Sequence, residues 1–249
     1  LALFDPVSGQ GFSLPTSSVV AYSWGRFDPQ TALALTPLPP VVAAPPQTEL
    51  PTPEPAQVSI DIVSGVAMRY DAYFLASDEN NRAQVWRLPA NGSPPAQITT
   101  SPTGVDSFAL APDGSAIVYV ADRALRWLRL ADGRMQTLAL LEGVGFPSPT
   151  FSPNGEQIAY ADNGIRLVGL DGQEPLFILR DAPDQSVFYG EPQFSPDGGR
   201  LLVSELRPNT NGIHGVLTVS DGSYQSLETD FGARALWLSD GSIITYGYS

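Results

Sequence analysis

The stretch FSPDGGRLLV, residues 194–203, decides the fold because it joins a tight turn to the strand that follows it. The proline presets one backbone angle of a turn and Gly198 accepts a positive φ, so the Pro-Asp-Gly step predicts a hairpin. Phe194 precedes the turn, and Leu201 and Val203 follow it two residues apart. Side chains with this spacing leave the same face of a strand, so the segment after the turn is predicted to be a strand.

The same unit occurs four times along the chain. Its turns read Ala-Pro-Asp-Gly (111–114), Ser-Pro-Asn-Gly (152–155), Ser-Pro-Asp-Gly (195–198) and Leu-Ser-Asp-Gly (238–241). The turn glycines at 114, 155, 198 and 241 therefore lie 41, 43 and 43 residues apart. A near-constant period of this length is the signature of a repeat architecture.

A second hairpin, which completes a four-stranded unit, follows each of the first three turns and also precedes the first one. Its turns contain Asn-Gly or Asp-Gly, the strongest short hairpin signals, at 91–92, 132–133, 171–172 and 221–222. Four antiparallel strands in about 40 residues make one blade of a β-propeller. The sequence thus predicts an all-β fold, a β-propeller of four-stranded antiparallel blades, with six blades expected and five as the alternative.

The whole chain, residues 1–249, is interpreted as a single propeller. A half-blade at 232–249 would leave an exposed sheet edge, so residues 1–15 are predicted to complete it and close the ring. Residues 16–36 could form a reduced blade. Residues 37–56 are rich in proline and are interpreted as a loop or linker, because proline cannot continue a central strand. The other blades are predicted at about 58–100, 103–141, 146–182 and 188–230.

The Ser-Pro-Asp/Asn-Gly turn followed by Ile-x-Tyr resembles the repeat of the TolB-like, WD40-like (PD40) β-propeller family. The resemblance covers residues 103–249 and, more weakly, 58–100. It implies a propeller and an extracytoplasmic, bacterial location, in the periplasm or at the cell surface. Nothing in residues 1–57 resembles the additional small domain that TolB-like proteins carry. Propellers of this kind serve several functions, so the repeat by itself does not assign one.

Composition excludes several classes of function. The formal net charge is −13, from 26 acidic residues and 13 basic ones, and every basic residue is arginine. An acidic surface repels phosphate backbones, so no nucleic-acid partner is expected. The absence of cysteine excludes disulfides and thiolate chemistry, and no apolar run is long enough to span a bilayer.

The search for reactive groups predicts no catalytic residues, no cofactor and no metal. His214 is the only histidine, and no Gly-x-Ser-x-Gly elbow accompanies it. The oxygen-rich run 78–81 lacks the spacing of a calcium loop and is interpreted as a solvated hairpin loop. Asp106, Glu191 and Arg234 fall on inner strands and are candidates for lining the central channel or binding a partner.

We therefore expect a non-catalytic, extracytoplasmic propeller that binds protein partners or serves as an accessory subunit of an envelope or membrane-associated assembly. The first alternative is the propeller domain of a prolyl-oligopeptidase-like hydrolase whose catalytic domain lies beyond residue 249. The second is a propeller glycosidase or lyase that uses carboxylates from different blades, because such pairs leave no local motif in a sequence.

Overall fold

A computed structural model describes residues 70–143, 147–171, 173–207, 213–227 and 234–246, together with the strand positions 2–4, 11–13 and 22–23. Every regular element in these residues is a β-strand. In chain order the strands are β1 (Ala2–Phe4), β2 (Gly11–Ser13), β3 (Tyr22–Ser23), β4 (Ala72–Ser77), β5 (Ala83–Leu88), β6 (Ala96–Gln97), β7 (Ser107–Leu110), β8 (Ala116–Ala121), β9 (Ala124–Arg129), β10 (Met135–Leu140), β11 (Thr150–Phe151), β12 (Gln157–Ala161), β13 (Gly164–Gly169), β14 (Leu176–Arg180), β15 (Phe188–Phe194), β16 (Arg200–Leu206), β17 (Ile213–Thr218), β18 (Tyr224–Ser226), β19 (Arg234–Trp237) and β20 (Ile243–Tyr246).

Three four-stranded antiparallel sheets are each formed by four consecutive strands: β7–β10, β11–β14 and β15–β18. In each of them the Pro-Asp/Asn-Gly turn leads from the first strand into the second. Phe194 accordingly lies opposite Leu201, and Leu110 lies opposite Ile117. The four-stranded antiparallel unit predicted from the repeat is confirmed.

A fourth four-stranded sheet has the order β3-β4-β5-β6, and its first strand comes from an unexpected part of the chain. The sequence assigned this sheet to residues 58–100 and placed residues 16–36 in a separate, reduced blade. Tyr22 instead lies opposite Phe74, so this short strand is the first strand of the sheet that contains 72–97. Two residues are too short to show a period-2 pattern, which explains why the pairing was missed.

Two hairpins stand at the ends of the chain. β19 and β20 pair with Trp237 opposite Ile243, and β1 and β2 pair with Leu3 opposite Phe12. Both hairpins were expected from the sequence. The closure in which residues 1–15 complete the blade of 232–249 stays a prediction, as does the number of blades. Residues 37–56 lie outside the described part of the chain.

The core lies between the sheets, because the second strand of each blade is buried on both faces. Ile117 of β8 packs in a cluster with Leu75 of the preceding sheet, whereas its neighbour Val118 packs in a cluster with Tyr160 of the following sheet. A third cluster repeats this arrangement between β12 and β16. Since alternate side chains point to opposite faces, the β7–β10 sheet and the β11–β14 sheet are each held between two neighbouring sheets by burial of apolar surface.

Candidate functional site

The Pro-Asp/Asn-Gly turns of successive blades lie against one another. A Cβ built on Gly155 would be 3.8 Å from Cδ of Pro112, and one built on Gly198 would be 3.4 Å from Cδ of Pro153. The turns at 111–114, 152–155 and 195–198 therefore form a row, in which Gly155 and Gly198 each lie against the proline of the preceding repeat. We call the end of the blades that carries this row the turn face, and the opposite end the loop face. The turns between third and fourth strands also lie at the turn face.

A cleft of about 700 Å³ opens at the turn face. The inner turns of four consecutive repeats contribute to it, and its walls are mostly apolar. Trp127 and Phe151 supply aromatic surface, Leu170 supplies aliphatic surface, and among the described residues of the lining only Asp113 is charged. The described lining residues are Ala111, Pro112, Asp113, Ser115, Ala116, Trp127, Phe151, Pro153, Asn154, Gly155, Leu170, Pro196 and Ser239.

The carboxylates of the inner turns are held ionised by hydrogen bonds within the turns. Asp113 accepts bonds from the amide (3.0 Å) and hydroxyl (2.8 Å) of Ser115, and these two bonds lower its pKa. Asp240 accepts the same pair from Ser242, and its pKa is lowered chiefly by the hydroxyl. For Asp197 the Ser195 hydroxyl lowers the pKa most, and the Gly199 amide adds to the effect. These interactions are those of Asx turns, so the residues have a structural role.

The sequence-predicted residues Asp106, Glu191 and Arg234 are all exposed and lie on or next to inner strands. Asp106 precedes β7, Glu191 lies within β15, and Arg234 begins β19. Glu191 and Arg234 occupy equivalent positions of successive repeats, 43 residues apart, as Phe194 and Trp237 do. Their role as channel-lining or partner-binding groups stays a prediction.

The backbone at Glu191 adopts a left-handed conformation that side chains disfavour. Its φ is +48°, and Ser148, at the equivalent position one repeat earlier, has a φ of +34°. The pairing of β15 with β16 shifts register between Gly190 and Gln193, so Glu191 lies in a β-bulge. The Ser204 hydroxyl donates a 2.7 Å hydrogen bond to its carboxylate. The bulge was not predicted, although Gly190 and Pro192 flank it and such residues within a strand often mark a bulge.

At the loop face, carboxylates are paired with arginine. Asp122 and Arg126 are 3.0 Å apart, and Asp162 and Arg166 are 3.2 Å apart, at equivalent places in two successive blades. Asp162 also accepts hydrogen bonds from the amides of Glu142 and Gly143 in the loop that enters its blade. These pairs tie the hairpin between the second and third strands to the preceding loop, which is a structural task.

A buried carboxylate in the β15–β18 sheet also has its hydrogen bonds supplied by neighbouring side chains. Glu205 is 2% exposed, and the Tyr224 hydroxyl donates a 2.6 Å hydrogen bond to its Oε2. Arg207 bonds the other carboxylate oxygen through Nε at 2.6 Å. Burial and the adjacent carboxylate raise the pKa of Tyr224 above its usual range. The arrangement stabilises a charge, and it leaves Tyr224 protonated at neutral pH.

The other residues considered for chemistry, His214 and the run 78–81, have structural roles in a strand and a hairpin loop. His214 is the second residue of β17, half-buried, as expected for a strand entered from a loop. Asp78 accepts hydrogen bonds from the amides of Asn80 and Arg82 and so closes its own hairpin loop. No group of three or more metal-binding side chains is found among the described residues. None of the described segments contains a helix long and apolar enough to span a membrane.

The cleft itself was not identified from the sequence. Its wall residues Trp127 and Leu170 were interpreted only as strand residues, and each lies in a different blade. The one available signal was the proline that recurs at 112, 153 and 196. A recurring turn residue indicates a row of turns, but the width of the opening depends on how far the sheets splay apart.

Comparison with known proteins identifies the fold. A TolB from Acinetobacter baumannii superposes with a TM-score of 0.58 at 19% identity, covering 73% of this chain and 47% of that protein. A protein described as a TolB from Agrobacterium tumefaciens gives 0.57 at 19% identity, covering 71% of this chain and 69% of its own. A puromycin hydrolase also gives 0.57, at 17% identity, and covers 70% of this chain and 34% of its own.

The match therefore spans about half the length of the Acinetobacter protein. No protein-family model matches the sequence, and no curated protein does. Identities below 20% show a shared fold and leave function open. With several four-stranded antiparallel sheets built from the same turn and strand pattern, this chain has a TolB-like β-propeller fold.

Proposed function

We propose that this protein is a non-catalytic, extracytoplasmic binding module that docks a protein partner as an accessory subunit of an envelope assembly. The turn-face cleft is the observation that carries the proposal. It offers aromatic and proline surface at the meeting point of four repeats, and rigid turns from several repeats suit recognition of another protein. The fold similarity to TolB proteins supports a protein-binding role and the periplasm or cell surface as the location.

The chemistry of the cleft also favours binding over catalysis. Asp113, the charged residue in the lining, is held in a turn by Ser115 with a lowered pKa, so it is a poor proton donor near neutral pH. The other polar groups that the described residues bring to the lining are serine hydroxyls and the Asn154 amide, and these include no histidine or second carboxylate to activate a nucleophile.

Site-directed cross-linking tests this proposal, and the natural absence of cysteine makes each label unique. Ser239→Cys places a cross-linker at the cleft, and Asn80→Cys places the same reagent on an exposed loop at the opposite face. We expect the Ser239 label to give one specific adduct, identified by mass spectrometry, in the protein's native membrane fraction. Absence of adducts from both sites, together with a monomer in sedimentation, would contradict the proposal.

The second candidate is a propeller domain that gates a hydrolase. The similarity to puromycin hydrolase favours it, since that protein is an enzyme of which this chain matches only 34%. The reading frame of the full gene decides between the two: a downstream Gly-x-Ser-x-Gly domain would support the hydrolase, and a stop codon close to residue 249 would remove it.

A further inference from the structure

We infer that the turn-face cleft binds an extended, positively charged segment of the partner protein. The inference rests on the proposed function and specifies the partner's chemistry. Two independent observations support it: the shape and lining of the cleft, and an excess of negative charge at the turn face.

The lining fits an extended segment with apolar or proline residues. Pro112, Pro153 and Pro196 lie along the row of turns. Trp127 of the β7–β10 sheet and Phe151 of the β11–β14 sheet lie in the wall of the cleft. Grooves with aromatic side chains in their walls bind proline-rich extended segments well. The backbone of such a segment is already restricted, so it loses little entropy on binding. A volume of about 700 Å³ is sufficient for a few side chains of such a segment.

The charge at the turn face is strongly negative. Its described residues include nine carboxylates and four arginines. The carboxylates are Asp71, Asp113, Asp132, Glu156, Asp171, Glu174, Asp197, Asp221 and Asp240; the arginines are Arg87, Arg129, Arg134 and Arg200. Two of these arginines are already engaged with carboxylates, Arg87 with Asp71 and Arg129 with Asp132.

The three inner-turn carboxylates are held by hydrogen bonds within their turns, and in the described part of the chain Asp113, Asp197 and Asp240 form no ion pair with arginine. Arg200 adds a weaker attraction at Asp197. Turn hydrogen bonds lower the pKa of all three, so they stay ionised at neutral pH. Asp113 lies in the lining of the apolar cleft, and Asp197 and Asp240 directly follow the lining residues Pro196 and Ser239. Three fixed negative charges so placed favour a ligand that carries arginine or lysine between apolar residues.

The turn at 152–155 shows which substitution removes these charges without disturbing the turns. Asn154 occupies the same turn position, and its side-chain oxygen accepts a bond from the Ser152 hydroxyl and from the Glu156 amide. Asparagine is therefore compatible with this turn. The triple variant Asp113→Asn, Asp197→Asn, Asp240→Asn removes these charges, and Asp184→Asn is the matched control. Asp184 accepts the same amide and hydroxyl bonds, from Ser186, in a loop at the other face.

The probe is a fluorescent peptide that repeats Pro-Pro-Arg, measured by anisotropy with the whole chain at low and at physiological salt. We expect it to bind, and to bind about tenfold more weakly to the triple variant, while Asp184→Asn leaves binding unchanged. Peptides that repeat Pro-Pro-Gln or Pro-Pro-Glu should not bind. A peptide that repeats Gly-Gly-Arg should bind more weakly, because it has no apolar side chains to place in the cleft.

Equal weakening by the triple variant and by Asp184→Asn would overturn the inference, as would equal binding of the Gly-Gly-Arg peptide or failure of the Pro-Pro-Arg peptide to bind. The cross-linking result separates this failure from failure of the proposed function. If Ser239→Cys captures a partner while no cationic peptide binds, the proposed function stands and the inference is wrong. If the peptide binds with the expected charge dependence and neither label captures a protein, the proposed function is wrong.

Discussion

The indole nitrogen of Trp237 donates a 3.0 Å hydrogen bond to the backbone carbonyl of Gln193. Trp237 ends the inner strand of the last described hairpin, and Gln193 lies on the inner strand of the preceding blade. The guanidinium of Arg200 lies 4.9 Å above the same indole ring. One side chain thus joins two successive sheets by a directional bond and a cation–π contact, in addition to the apolar burial between sheets.

Trp237→Phe should loosen this last hairpin selectively. The change keeps an aromatic ring and removes the donor, so we expect a loss of about 1 kcal/mol in the free energy of unfolding. Hydrogen exchange should increase mainly in 234–246. Trp86→Phe is the control, because the Trp86 indole donates to the Ala76 carbonyl within a single sheet. If the control increases exchange in 234–246 as much, the bond between the blades has no special role.

Gly222 and Gly133 provide a matched test of the packing between blades. Both lie in turns between third and fourth strands, with φ of +70° and +71°. A Cβ on Gly222 would be 2.8 Å from the Ile178 carbonyl oxygen of the preceding blade, whereas nothing lies within 4 Å of one on Gly133. Gly133→Ala should therefore lower the free energy of unfolding by about 1 kcal/mol, the cost of a side chain on a left-handed backbone. Gly222→Ala should lower it by roughly 1 kcal/mol more, or by a larger amount, because a backbone atom has to move.

Chemical denaturation of the two alanine variants measures the difference directly. Equal losses of free energy of unfolding would mean that the turn at Gly222 does not contact Ile178 as described.

Asp181→Asn should stabilise the protein at neutral pH. Burial raises the pKa of Asp181, although the Tyr189 amide donates a 2.8 Å hydrogen bond to its carboxylate. A raised pKa in the folded state means that the folded protein binds more protons than the unfolded chain. Stability therefore falls as the pH rises from the unfolded pKa of about 3.9 through the folded value. Asparagine can still accept the Tyr189 amide, so the gain should appear above this window and vanish below it.

Replacing Asp184, in the same loop, with asparagine should have the opposite effect on stability at neutral pH. The Ser186 hydroxyl and amide lower its pKa, so its contribution to stability is present above the unfolded pKa and is lost as the pH falls through the folded value. Asp184→Asn should therefore be neutral or slightly destabilising at pH 7. Unfolding curves of both variants between pH 3 and pH 7, roughly, test the two signs together; a gain from both would contradict the assignment.

Asp162→Ala and Asp122→Ala should differ greatly, although the two residues occupy the same place in successive blades. The Asp162 side chain is 1% exposed and that of its partner Arg166 is 13% exposed, whereas the Asp122 side chain is 26% exposed. Removing one member of a buried pair leaves its partner buried and uncompensated, so we expect Asp162→Ala to lower the free energy of unfolding by about 3 kcal/mol and Asp122→Ala to lower it much less. Equal, small losses in thermal unfolding would show that Asp162 is less buried than described.

The repeat made most of the blade architecture predictable, because the turn at 195–198 and its equivalents combine proline, an Asx residue and glycine at a fixed period. The first strand of the 72–97 sheet was not predictable: Tyr22–Ser23 is short and lies far away in sequence, with the proline-rich stretch in between. The bulge at Glu191 was also missed, although Gly190 and Pro192 beside it are residues that often mark bulges within strands. The cleft was missed because its lining comes from four repeats, and local patterns do not report how sheets splay.

Distances between equivalent turns test most directly the claim that consecutive sheets curve around an axis. Spin labels on cysteine pairs that combine position 115 with 156, 199 or 242 report three such distances, since each position directly follows a turn glycine and the chain has no other cysteine. In a propeller the distances rise at first and then level off, because the last turn comes round the ring. Distances that grow in equal steps from 156 to 199 to 242 would show an open stack and contradict the account.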